Sequence, residues 1–311
     1  MAVAAALAAF AQITLGGVVR VTGSGLGCPD WPLCHGRIIP PLEFATLIEY
    51  SHRLSASVLS LFVLATAVTA LLYYRSSRWA VRSSILGLVF VIAAAGLGGA
   101  TVLTELMWWV RLVHLGVAEI VVAAMIVVAV FAWRARGPVA DNKGSVQTAP
   151  GFDRLVIASL IGVFIIIISG SYIVGYGAGS SCASWPLCRG SLFPEGAPFA
   201  VHMGHRYVAG LIGLLVLYTS YVGWRGRASR PDIAWSAVIL AMVFLLQVLV
   251  GALTVWAGFS AEMKAAHLSV ATLVWMALVY MAATAYVPRG FEARQAEFGV
   301  TNISQLEGLR Q

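Results

Sequence analysis

Four histidines carry most of the chemistry available to this sequence. His52, His114, His205 and His267 each lie about one turn inside one end of a long apolar run, and all four ends fall on the same side. An imidazole buried in a membrane helix without a partner is costly, so each marks a site. Two imidazoles on facing helices at equal depth can clamp an iron porphyrin from both sides. A proton relay, a quinol site, or a zinc or copper pair uses the same residue type. Four matched positions favour two porphyrin sites.

One acid breaks the match. Glu49 precedes His52 by three residues, which puts both on one helix face. Its carboxylate would then sit beside the reacting edge of a porphyrin, where it could take protons or stabilise a developing cation. The alternative is a surface charge paired with Arg53 or Arg111. The corresponding position in the second half is His202, whose simplest reading is a solvated residue at a helix start, and His35 is expected to be exposed. Arg20, Arg53 and Arg206 lie near the same end. They are candidate partners for the carboxylates of a porphyrin, with snorkelling to the interface as the simpler alternative.

The four cysteines form two sets of identical spacing, Cys28 with Cys34 and Cys182 with Cys188. A disulfide in each loop is the simplest expectation, since closing so short a ring constrains the unfolded chain by roughly 2 kcal/mol. A redox-active dithiol and a four-cysteine zinc site remain the alternatives.

These residues need elements to hold them, and composition names the class. The chain has 311 residues, 60% hydrophobic and 11% charged, with a mean hydropathy of +0.87. So few charges cannot cover a water-soluble globule, which carries about 25%. Apolar runs long enough to cross a bilayer recur at about 1–21, 46–74, 82–104, 109–133, 154–175, 201–224, 232–257 and 263–287. The first is read as a span rather than a secretory leader because it has no basic start. The expected fold is an all-α polytopic membrane protein of eight transmembrane helices.

The net charge of +7 does not indicate nucleic acid, because the basic residues sit in short clusters between apolar runs rather than on one face. Arg75, Arg78 and Arg82, then Arg134, Arg136 and Lys143, then Arg225, Arg227 and Arg230, then Arg289 and Arg294 mark one side as cytoplasmic. Both termini are expected there, with the cysteine loops outside and lipid around the helices. Trp108 and Trp109 read as interface anchors.

A repeat organises the whole. CPDWPLC at 28–34 recurs as CASWPLC at 182–188, offset by 154, while His52-Arg53, Gly98, Thr101-Val102 and His114-Leu115 recur at an offset of 153. Two pseudo-symmetric four-helix bundles are expected, over 1–137 and 154–287, joined by a cytoplasmic linker at 138–153 and followed by a tail at 288–311. Small residues such as GLGGA at 96–100 read as helix-packing positions.

The stretch GGVVRVTGSGLGCPDWPLCHG from Gly16, the Glu49-x-x-His52-Arg53 motif, and His114, His205 and His267 together resemble the haem A synthase family. The resemblance implies oxidation of a ring methyl of haem O to a formyl group by successive hydroxylations, giving haem A for cytochrome oxidase. It implies resident haem b on His205 and His267, with Arg206 beside it. It implies substrate haem O on His52 and His114, with Arg20 and Arg53 beside it and Glu49 as the catalytic acid. The family's loop cysteine pair corresponds to Cys28 and Cys34. A haem O synthase and an electron acceptor, a quinone or a thiol-redox protein, are the further partners expected. The competing expectation is a non-catalytic dihaem cytochrome or a haem carrier, which would use the same histidines without Glu49.

Overall fold

The computed structural model describes residues 1–75, 77–134 and 149–286. Arg136, Lys143, Arg289 and Arg294, most of the linker and all of the tail lie outside the described residues. Eight helices follow in order: α1 (Ala2–Val21), α2 (Phe44–Tyr73), α3 (Arg78–Leu103), α4 (Trp108–Arg134), α5 (Phe152–Gly175), α6 (Ala197–Arg225), α7 (Pro231–Trp256) and α8 (Ala261–Tyr286). Each is long and apolar enough to cross a membrane, so the chain is multi-pass. No named strand occurs among the described residues.

Every expected span is present, and the boundaries differ where capping chemistry intervenes. α3 begins at Arg78 because the Ser77 side chain accepts a hydrogen bond from the Ala80 N–H. α6 begins at Ala197, four residues earlier than its apolar run, because Pro198 fits the first turn, where no N–H is needed.

Within each half the helices close a ring, α1 to α2 to α3 to α4 and back, and α5 to α6 to α7 to α8 and back. The seam between halves is α1 on α8, α4 on α8 and α4 on α5. Hence α4 and α8, which carry His114 and His267, are buried on more sides than the lipid-facing helices. Met125, Leu278 and Met281 are fully covered there. An acid also lies in this seam. Glu119 of α4 is fully buried, and its Oε1 accepts the Thr272 hydroxyl of α8 at 2.7 Å, while the Trp275 indole N–H donates to the Glu119 carbonyl at 2.9 Å. Thr272 is the repeat counterpart of Glu119, at the offset of 153.

At the end away from the cysteine loops, Asp232 at the start of α7 pairs with Arg134 at 2.8 Å and Arg230 at 3.0 Å. Arg230 also donates to the Thr284 carbonyl at 2.9 Å. Two of the basic residues that mark this side thus also tie α4, α7 and α8 together.

Candidate functional site

Both cysteine loops are closed by disulfides, Cys28 to Cys34 and Cys182 to Cys188. All four sulfurs are spoken for, so a zinc site built on them is set aside. Each loop turns at a pair of positive φ, His35 (54°) with Gly36 (66°) and Arg189 (54°) with Gly190 (77°). Gly27 carries the first loop against α2, since a Cβ there would lie 2.3 Å from the Ala45 carbonyl oxygen. Asp30 closes the first turn by accepting the His35 and Gly36 N–H groups at 2.6 and 2.7 Å. The Gly36 bond is the main cause that holds its exposed carboxyl below the usual carboxylate range. Ser184 takes that place in the second loop, accepting from the Arg189 N–H at 3.1 Å. His35 is exposed, as expected.

One arginine gathers several carbonyls of each loop, beside single bonds to loop carbonyls from Thr46 and Tyr50 in the first half and from His202 and Tyr207 in the second. Arg53 donates to the carbonyls of Asp30 (2.7 Å), Leu33 (2.7 Å) and Cys28 (2.8 Å) and, through Nε, to Glu49 at 3.2 Å. Arg206 donates to Ser184 (2.8 Å), Pro186 (3.0 Å), Leu187 (3.3 Å) and Cys182 (3.2 Å). Both guanidiniums are therefore occupied by loop carbonyls in the geometry seen here.

The four histidines take equivalent places. Each lies on an even-numbered helix with its Cε1 over a glycine of the preceding one: His52 over Gly16, His114 over Gly98, His205 over Gly170 and His267 over Gly251. A Cβ on those glycines would come within 3.0, 3.5, 3.4 and 3.1 Å of the ring, which would crowd the imidazole at His52 and His267 and is ordinary contact at His114 and His205. His52 and His114 are within electrostatic reach of each other, as are His205 and His267. Gly98 in GLGGA thus serves a histidine, while its neighbour Gly99 receives the Trp31 ring of the first loop. Trp108 packs over Gly175 and edge-on to Tyr172, across the seam between α4 and α5.

What holds the rings differs between the halves. Ser169 Oγ donates to the Ile166 carbonyl at 2.8 Å and lies 2.7 Å from His205 Nδ1, so it accepts Nδ1–H and leaves Nε2 as the free lone pair. Behind His52 stands Gln12, whose Nε2 donates to the His52 carbonyl at 3.0 Å. That carbonyl fixes the amide's orientation, and the same nitrogen lies 3.0 Å from His52 Nδ1, so it presents an N–H to the ring. Ser55 donates to the Gln12 oxygen. Gln247 Nε2 lies 3.3 Å from His267 Nδ1, and His114 Nδ1 is buried with no hydrogen-bond partner. These supports do not repeat between the halves, so comparing the halves could not find them. A polar residue within an apolar run was the available signal.

Glu49 is buried, 6% exposed, with Arg53 as its ion-pair partner. His202 takes its place in the second half and is not solvated. It is equally buried, with Nδ1 donating to the Ala178 carbonyl at 3.0 Å and Nε2 facing Arg206 at 3.3 Å. Pro198 starts α6 early enough to bring His202 inside a complete turn. The site of one half therefore has a carboxylate where the other has an imidazole committed to a backbone carbonyl.

Among the described residues no three His, Cys, Asp or Glu side chains converge on a point. A bare metal ion would therefore lack ligands. A metal that brings its own equatorial nitrogens needs only two further donors, and paired, glycine-backed imidazoles fit a porphyrin iron, with Nε2 left free at His205 and an amide nitrogen 3.3 and 3.4 Å from Nε2 at His52 and His267.

The chain matches the COX15-CtaA family, described as cytochrome oxidase assembly protein, over residues 1–279, with a further match over 197–304. Its relatives include a protein of Bacillus cereus (strain AH187) named Heme A synthase, 29% identical and aligned over 86% of this chain and 87% of the relative. Proteins of the same name from Bacillus anthracis (strain A0248) and Bacillus thuringiensis subsp. konkukian (strain 97-27) align equally well, at 29% identity over the same shares.

Proposed function

The chain belongs to the COX15-CtaA family of cytochrome oxidase assembly proteins, and from that premise we propose that it is a haem A synthase, an oxidoreductase converting haem O to haem A. The observation that carries this reading is the pair of matched two-imidazole sites with a buried carboxylate beside only one.

In this reading residues 1–137 take the substrate, haem O, between His52 and His114. Residues 154–287 hold resident haem b between His205 and His267, with 138–153 as linker and 288–311 as tail. The cysteine loops face outside the cytoplasmic membrane. Haem b, when bound, supplies a one-electron carrier. Oxidising the ring methyl to a formyl group takes two hydroxylations, each using one water and releasing two electrons and two protons, followed by loss of one water. The electrons leave to an acceptor such as a quinone.

Glu49 is placed to stabilise positive charge developing on the methyl carbon and to accept a proton from the attacking water. Arg53 orients that carboxylate and, through the loop carbonyls, fastens the Cys28–Cys34 loop over it. An acceptor behind His205 leaves its Nε2 ready as a ligand, while an amide nitrogen lies beside one ring of each pair, Gln12 at His52 and Gln247 at His267.

The test is to supply the full chain with haem O and identify the extracted porphyrins by mass spectrometry beside a Glu49→Gln variant. The wild type is expected to yield hydroxymethyl or formyl haem, and the variant only haem O and haem b. Unmodified haem from both would replace this reading with a dihaem cytochrome or a haem carrier.

A further inference from the structure

The two disulfide rings end in the same way. Each closes on a short antiparallel bridge, Cys34 with Arg37 and Cys188 with Ser191. The chain then leaves through two large apolar residues and a proline, Ile38-Ile39-Pro40 in the first loop and Leu192-Phe193-Pro194 in the second. The protein covers little of these four apolar side chains: Ile38 and Ile39 are 77% and 79% exposed, Leu192 and Phe193 54% and 82%. Exposed charges flank each pair, Arg37 and Glu43 in the first loop, Arg189 and Glu195 in the second. A single exposed apolar residue is ordinary, but a matched pair at one place in both repeats calls for an apolar partner.

A tyrosine fixes where each tip lies. Tyr50 of α2 donates its hydroxyl to the Ile38 carbonyl at 2.7 Å, and Tyr207 of α6 donates to the Leu192 carbonyl, with its ring 6.0 Å from that of Phe193. Tyr50 stands two residues before His52, and Tyr207 two residues after His205. At 1.5 Å per residue they lie about 9 and about 15 Å inside the starts of their helices. Even with each phenol leaning back toward the loop end, the tips fold down beside the helices rather than standing above them.

The face is equally defined. Tyr50 heads a row at helical spacing, Leu54, Val58 and Leu61, and Tyr207 heads Leu211, Leu214 and Tyr218; all six of these followers are exposed. On a membrane-spanning helix an exposed apolar row is the one that lipid covers, so each tip continues a lipid-facing stripe. The repeat does not supply these ties. The counterpart of Tyr50 is Met203 and that of Tyr207 is Leu54, so two unrelated tyrosines hold the two tips in one arrangement. A phenol, apolar in its ring and polar at its tip, suits this depth.

We propose that the Ile38-Ile39 and Leu192-Phe193 tips dock into the lipid leaflet at the cysteine-loop end, among acyl chains just beneath the headgroups, with the flanking charges in the headgroup layer. Each disulfide loop is then clamped between its bundle and the bilayer. The inference needs the membrane-spanning helices and not the porphyrin reading.

The native cysteines are paired in disulfides, so one added cysteine takes a thiol-reactive bimane at a single place. The full chain is reconstituted in phosphatidylcholine nanodiscs as Ile39→Cys and Phe193→Cys. Leu54→Cys is the lipid-facing reference, and Thr104→Cys, exposed in the turn between α3 and α4, the water-facing one. Mass spectrometry verifies both native disulfides in each variant. Quenching is measured with iodide from the water and with phosphatidylcholine carrying a doxyl group at acyl carbon 5. Labels at 39 and 193 are expected to be quenched by the doxyl lipid at least about twofold more than the label at 104, and by iodide at least about twofold less. Iodide quenching equal to that at 104, without doxyl quenching, puts the tips in water and overturns the proposal. Protection from both quenchers means that protein, a second copy or a partner, covers the tips, and overturns it as well. If either variant loses a native disulfide, Ile38→Cys or Leu192→Cys takes its place. Should the label at 54 itself escape the doxyl lipid, the lipid-facing premise has failed and the inference falls with it.

Discussion

Arg53 offers the sharpest perturbation, because one guanidinium joins the disulfide loop to Glu49. Three of its bonds run to loop carbonyls at 2.7, 2.7 and 2.8 Å, and the fourth to Glu49 at 3.2 Å. Hydrogen bonds to a charged group contribute about 1.5–3 kcal/mol each, but bonds sharing one group do not add. The Arg53 side chain keeps 15% of its surface exposed, and Gln at this position can retain one bond. Replacement by Gln is therefore expected to favour local opening of the loop by about 2–3 kcal/mol, which is about 30- to 150-fold in population. Both sulfurs of this loop are buried, at 0% and 1% exposure, so a reductant must wait for that opening. The assay is the rate of reduction by a water-soluble phosphine, with each cysteine pair followed by alkylation and mass spectrometry. Cys28–Cys34 should be reduced faster in Arg53→Gln, while Cys182–Cys188, held by Arg206, keeps its wild-type rate. Arg206→Gln should show the reverse. Equal acceleration of both pairs, or of neither, would refute the claim that each arginine fastens its own loop.

Three further outcomes follow from the same geometry. Gly98→Ala meets only ordinary contact with His114 at 3.5 Å and should gain the helix propensity of alanine, about 0.5–1 kcal/mol. Gly16→Ala presses on His52 at 3.0 Å and should weaken haem O binding measured by Soret titration; equal behaviour of the two variants would contradict the glycine cradle. In the seam, Glu119→Gln keeps an acceptor for Thr272 and should cost under about 1 kcal/mol, whereas Glu119→Ala leaves a cavity and unpaired partners and should cost about 2–4 kcal/mol in denaturation experiments. Finally, the Asp30 carboxyl is held below its ordinary value, so its contribution to the first loop is fully present above that value and lost as pH falls through the lowered one. Amide exchange at His35 and Gly36 should therefore stay protected through the ordinary carboxylate range and rise only below it. The second loop, with Ser184 in that place, should show no such step; matching profiles in both loops would reject the assignment.

The spans were legible because lipid demands continuous apolar runs, and the repeat because His, Cys and Gly recur at fixed offsets. Helix ends were less so, since Ser77 and Pro198 set them through local capping rather than hydropathy. The histidines and their glycines could be found by comparing the halves. Their supports could not, because Gln12, Ser169 and Gln247 sit at positions the repeat does not share. Glu119 and Thr272 escaped for a related reason: they are repeat counterparts that differ in type and meet each other across the seam. The sequence likewise placed Arg53 and Arg206 near the outer end without revealing that loop carbonyls claim both.

The division of labour between the halves is tested most directly by the porphyrin content of two variants, His52→Ala and His205→Ala, each expressed with haem O and extracted for mass spectrometry. The account predicts that His52→Ala keeps haem b and yields no hydroxymethyl or formyl haem, while His205→Ala loses haem b. Haem b lost from His52→Ala and kept by His205→Ala would contradict it.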